Sequence, residues 1–106
     1  MREPIYIGDC YTIEEAENGE IVLTITASVW SASTWARYEF KHTFIGKSGV
    51  ITNTENTING KPDTEYYESG EIFTDPYDLL WTLSDMLSND DNKAIAIIDK
   101  VKPLVF

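Results

Sequence analysis

Few side chains in this chain have the chemistry to act on a substrate. There is one histidine, His42, one cysteine, Cys10, and a large number of carboxylates. His42 stands in "RYEFKHTFI", where alternate residues are apolar, so it falls on an inward strand face beside Phe40 and Phe44. A catalytic histidine needs a nucleophile or a carboxylate in reach, and no neighbouring motif supplies one. A buried or edge histidine with one hydrogen bond is the plainer expectation. Cys10 has Asp9, Glu14 and Glu15 as sequence neighbours. Negative charge close to a thiol opposes its ionisation, so an inert thiol is expected.

Carboxylates come in pairs: Glu14 with Glu15, Asp75 with Asp78, Asp90 with Asp91. Such pairs can hydrolyse glycosides or hold Ca²⁺ or Mg²⁺. Here they fall at turns and helix starts, where capping and solvation account for them. "NDDN" at 89–92 lacks the alternating ligands and central glycine of a calcium loop. No phosphate-binding glycine loop, dinucleotide fingerprint, nucleophile elbow or zinc spacing is present. The expectation is therefore a protein that is not an enzyme, with no metal and no cofactor.

Charge carries more information. Eighteen acids face eight bases, a net of −10. Residues 62–92 hold nine of the acids and no Lys or Arg. Phosphate backbones are bound through Lys and Arg, so this surface repels nucleic acid and acidic membranes alike. A basic protein partner is favoured, because complementary fields speed encounter. Within the acidic stretch, Asp75, Asp78 and Asp85 fall near one side of a helix, preceded by Glu65, Glu68 and Glu71. Rows of carboxylates can imitate phosphates, although an acidic face can also simply keep a small domain soluble.

A second feature is "VWSASTWAR", which sets Trp30 and Trp35 around a small polar turn, with Arg37 just beyond. A cross-strand tryptophan pair stabilises a hairpin without any partner. Exposed beside an arginine, the same pair has the composition of an interface centre.

These residues need elements to position them. The chain has 106 residues and no Pro/Gly/Ser-rich linker, so one domain spanning 1–106 is the default. "CYTIEEAENGEIVLTITASVW" reads as a hairpin turning at Asn18-Gly19. A three-residue loop with Gly19 left-handed pairs Ala16 with Glu20, Ile13 with Leu23 and Tyr11 with Ile25, gathering the apolar side chains on one face. A strand over 34–45 follows, and a four-residue "SAST" loop pairs Trp30 with Trp35. Residues 46–70 read as two shorter strands near 50–58 and 64–68, with "NGKPD" as a turn. Asn53, Asn56 and Asn59 recur every third residue there, as an edge strand or loop.

"TDPYDLLWTLSDMLSND" predicts a helix over 75–88, capped by Asp75, with Leu79, Leu80, Leu83, Met86 and Leu87 as its apolar stripe and Trp81 at the margin. "DDNKAIAIIDKV" fits a helix with Ala94, Ile95, Ile98 and Val101 inward and Pro103 ending it. A short "AIAII" strand is the alternative. The apolar "LVF" at 104–106 is expected to dock on the core or an edge.

The fold class expected is α+β: an antiparallel meander of four to five strands, then one or two C-terminal helices packed on the sheet. "MREPIYIGDC" lacks the apolar run of a signal peptide, and a lone cysteine implies no intramolecular disulfide, so a soluble cytoplasmic protein is expected. The leading functional expectation is a small acidic protein-binding module. Its most concrete form is a stoichiometric inhibitor of a basic nucleic-acid-handling protein, acting by charge mimicry of the anti-CRISPR, anti-restriction or nuclease-immunity kind. Its contact residues are Glu65, Glu68, Glu71, Asp75, Asp78 and Asp85, with Trp30, Trp35 and Arg37 as a second patch. The alternatives are a structural protein that assembles with itself or others, and a small-ligand binder or enzyme using His42 and Tyr38.

Overall fold

The computed structural model describes residues 2–106. An antiparallel meander comes first, built from β1 (Glu3–Ile7), β2 (Tyr11–Glu15), β3 (Ile21–Ser31), β4 (Ala36–Lys47), β5 (Val50–Ile58) and β6 (Lys61–Pro62). A short β7 (Ile72–Phe73) also pairs with β5, so β5 carries β6 along one half of its outer edge and β7 along the other. Two helices follow, α1 (Pro76–Met86) and α2 (Asp91–Val105). This is the α+β meander with C-terminal helices that the pattern predicts, with more strands. The added ones are β1, β6 and β7, all short or exposed and therefore weak in periodicity.

The β2–β3 hairpin has the predicted register, with Tyr11 opposite Ile25 and Ile13 opposite Leu23. Gly19 takes φ +84°, the left-handed geometry its loop requires. The β3–β4 pairing differs from expectation by two residues. Trp30 faces Arg37 and Ser31 faces Ala36, so the turn is 32–35 and contains Trp35. A slip of two keeps every side chain on its predicted face. Leu23 meets Phe44 and Ile25 meets His42.

Helices cover only part of the inner face. Ile13, Leu23, Ile25, Phe44 and Ile51 are wholly buried against Leu79, Leu83, Ile97 and Val101. Beyond Ile25 and His42 the hairpin runs on with Ala27, Val29, Tyr38 and Phe40 only half-buried. Eleven residues of β3 span about 36 Å at the usual rise per residue, in keeping with a long molecular axis of 42 Å.

In α1 the Asp75 carboxylate caps the Tyr77 N–H at 2.8 Å, and the leucine stripe faces in as expected. Trp81 does not sit at the margin: it is 76% exposed on the outward side. Helix α2 replaces the short-strand alternative, but its inward set is Ala94, Ile97, Ile98 and Val101, with Ile95 exposed. Nor does Pro103 end it. The last turn continues to Val105 because tertiary packing holds it there: the Val105 carbonyl accepts from Gly49 N–H at 2.6 Å. Its side chain rests on Gly46, where a β-carbon would lie 2.9 Å from Val105 Cγ2. Between the helices, the Ser84 hydroxyl donates to the Asp91 carboxylate. Among the described residues no helix is long and apolar enough to cross a membrane.

Candidate functional site

Residues 63–71 connect β6 to β7 and form a loop, not the strand expected near 64–68. The cause is Asp63. Its carboxylate accepts from the backbone N–H groups of Glu65, Tyr66 and Tyr67, each at 2.9 Å, and so takes the donors a ladder would need. Burial alone would raise the Asp63 carboxyl, but these three bonds outweigh it and hold the group below the ordinary carboxylate range. Both ends of the loop are pinned to β5. Asp63 N–H donates to the Asn56 carbonyl at 2.9 Å, Gly70 N–H to the Asn53 carbonyl at 2.6 Å, and Asn53 N–H to the Glu71 carbonyl at 2.9 Å.

Beneath the loop lies a buried polar chain. Asn56 Nδ2 donates to Asn53 Oδ1 at 2.7 Å and to the Tyr67 carbonyl at 3.2 Å. Asn56 Oδ1 lies 2.9 Å from His42 Nδ1. Since an amide oxygen only accepts, Nδ1 carries the imidazole proton and Nε2 keeps its lone pair. Nε2 is buried and finds no partner among the described residues. Burial pushes the His42 pKa down; the Asn56 bond and the charges of Asp63 and Asp85 oppose this without overcoming it. His42 is therefore a fully buried histidine with one hydrogen bond, gripped by Phe40 and by the Tyr67 ring at 4.9 Å.

The loop and α1 enclose a groove of about 610 Å³. Its aromatic walls are Tyr66, Tyr67 and Trp81, and Glu68, Glu71 and Asp85 bring carboxylates to it. Tyr66 and Trp81 are 63% and 76% exposed. The Tyr67 hydroxyl donates to the Asp85 carbonyl at 3.4 Å. Burial and the nearby Asp85 raise its pKa to about 12, so the phenol stays neutral at physiological pH. Asp78, Trp81 and Asp85 follow one another at helical spacing along the outer side of α1. No family model, curated protein or solved structure matches the chain.

The residues singled out from the sequence thus divide. Glu68, Glu71 and Asp85 share the groove, while Glu65, Asp75 and Asp78 are exposed outside its lining. Asp75 also has a structural task as the α1 cap. Among the described residues none of these six forms an ion pair. The aromatic walls are the part that charge alone does not reveal. Trp81 is legible after the fact, three residues past Asp78 and four before Asp85.

Trp30, Trp35 and Arg37 form a separate patch at the β3–β4 turn, away from the groove lining. The two indoles meet edge to face with centroids 6.1 Å apart and remain 51% and 81% exposed. Arg37 donates to Ser28 Oγ at 3.0 Å, and that hydroxyl donates to Glu39. Trp35 takes φ +51°, a conformation that costs an L-residue roughly 1–2 kcal/mol. Trp35→Ala keeps that strain and loses the indole contact, so it is expected to destabilise by about 1 kcal/mol. Trp35→Gly relieves the strain and should cost about 1 kcal/mol less than the alanine variant. Urea denaturation of both checks this; equal costs would mean the turn carries no strain.

Proposed function

We propose that this protein is an acidic protein-binding module that docks on a basic, nucleic-acid-handling partner in place of nucleic acid. One observation carries the reading. Glu68 and Glu71 of the 63–71 loop and Asp85 of α1 flank exposed aromatic rings, and among the described residues no cation pairs with them. Carboxylates left unpaired on one side attract a basic surface at long range, and aromatic rings add contact energy once it arrives.

Self-assembly through the edge of β1 is the rival. Ile5 and Ile7 are exposed there, but Pro4 and a register break between Pro4 and Tyr6 interrupt the edge, features that discourage strand pairing.

The test is capture from nuclease-treated lysate with wild type and with Asp78→Lys/Asp85→Lys, which spares the Asp75 cap. The expected result is a basic nucleic-acid-binding protein held by wild type, released by added nucleic acid, and bound at least about tenfold more weakly by the double variant, a loss of about 1.4 kcal/mol. Its affinity should also fall steeply as salt rises. A partner bound equally by both proteins, or one that added nucleic acid does not displace, overturns the proposal.

A further inference from the structure

Resting on that reading, we infer that the groove between the 63–71 loop and α1 receives an arginine side chain from the basic partner. Three features define the occupant. First, the walls are rings: Trp81 and Tyr66 are largely exposed, and cations are attracted to the faces of aromatic rings. Second, the charge is uncompensated. Glu68, Glu71 and Asp85 line the groove, the 62–92 stretch supplies no Lys or Arg, and no ion pair forms at these residues among those described. Third, the carboxylates do not converge on a point: among the described residues no three acidic, histidine or thiol groups come close enough to hold a metal ion. Separated acceptors suit a wide cation with several donors.

Guanidinium meets all three demands. It is planar, stacks on aromatic faces, is weakly hydrated, and directs five N–H donors outward in a fixed fork. An ammonium is a compact, strongly hydrated point charge and uses the rings and the spread acceptors less well. Ser69 and Thr82, also in the lining, supply hydroxyls for the flanking backbone. About 610 Å³ exceeds one side chain and accommodates a short extended segment around it.

The test uses two uncharged-end peptides, Gly-Arg-Gly-Arg-Gly and Gly-Lys-Gly-Lys-Gly, titrated into the full chain by ¹H–¹⁵N NMR. The three tryptophan indole N–H signals report three different places. The arginine peptide is expected to move the Trp81 signal and leave those of Trp30 and Trp35 in place. It should bind at least threefold more tightly than the lysine peptide. Trp81→Ala and Glu68→Gln/Glu71→Gln should each weaken it at least fivefold. All three positions are exposed, and unchanged melting curves confirm intact folds. Equal binding of the two peptides, shifts confined to Trp30 and Trp35, or full affinity in the groove variants overturns the inference. Failure here is distinguishable from failure of docking itself. If Asp78→Lys/Asp85→Lys loses the partner while Trp81→Ala and Glu68→Gln/Glu71→Gln keep it, docking stands and the groove assignment falls. If none of these variants affects capture, both fall.

Discussion

Asn56→Ala is expected to destabilise the fold by about 3–5 kcal/mol, because each buried polar group left without a partner costs roughly 1–3 kcal/mol. The side chain of Asn56 serves three partners at once: His42 Nδ1, Asn53 Oδ1 and the Tyr67 carbonyl. Alanine strands all of them in a place where Asn56 is 5% exposed. Against the 5–15 kcal/mol typical of a whole domain, such a loss is severe. Some of it will be local. Tyr67 belongs to the groove wall, and its carbonyl is one of the stranded groups. Hydrogen exchange at 63–71 should therefore rise more than at β3 or β4, whose ladder bonds do not involve Asn56 side-chain atoms. Denaturant unfolding gives the global figure and hydrogen exchange the local one. A variant within 1 kcal/mol of wild type would show that the amide is not what fastens the loop.

That network explains which parts of this fold were readable and which were not. Period-two alternation gave the faces of β3 and β4, and a helical stripe gave α1, because both are half-buried elements whose solvent side is polar. The two-residue slip of β3 against β4 escaped because it preserves every face. The asparagines escaped for a different reason. On a regular strand Asn53 and Asn56 point to opposite faces, since three is odd. A bulge at Thr54, where Thr43 faces Glu55 but Phe44 faces Asn53, reverses the alternation and turns both inward. The Thr43 carbonyl left at the bulge accepts from Asn53 Nδ2 at 3.1 Å and from Thr54 Oγ1 at 3.2 Å. Asn59 has yet another role, in a tight turn at φ +52°. Three identical residues at equal spacing thus do two unlike jobs, and no periodicity describes them.

The candidate site shows the same limit. Its acids were visible as a run without Lys or Arg. Its rings were not, because Tyr66 and Tyr67 are placed by the Asp63 turn, a contact among near neighbours that competes with the strand their composition suggests. Ile95 and Ile97 exchanged roles for a related reason. In an apolar run every phase of the helix looks amphipathic, and the packing partner decides which side is buried.

Stability is expected to fall on mild acidification, and His42 is the group responsible. Its folded-state pKa lies below the ordinary 6.5, chiefly through burial. Above pH 6.5 the imidazole is neutral folded and unfolded, and its contribution is fully present. Below 6.5 the unfolded chain takes up a proton that the folded chain refuses. Stability then declines with a slope approaching about 1.4 kcal/mol per pH unit until the folded pKa is reached. Asp63 acts in a lower window. Its folded pKa is depressed, so its contribution is present above the ordinary 3.8 and is lost only as pH falls below that. His42→Asn places an amide N–H donor where Nδ1 stands and removes the upper window, so its stability should be flat from pH 7 to 5 and then fall with wild type as Asp63 protonates. Asn56→Asp works the other way. A carboxylate against Nδ1–H favours the imidazolium, raises the folded pKa of His42 and shrinks the loss between pH 6.5 and 5. Urea midpoints of the three proteins at pH 7, 6, 5 and 4 separate these cases. Parallel curves for wild type and His42→Asn would assign the acid sensitivity to the carboxylates alone. The upper window matters to the site because Tyr67 packs on His42 and hangs from Asn56: opening this wall frees the ring to take up a proton, so the wall opens more readily as pH falls through that window.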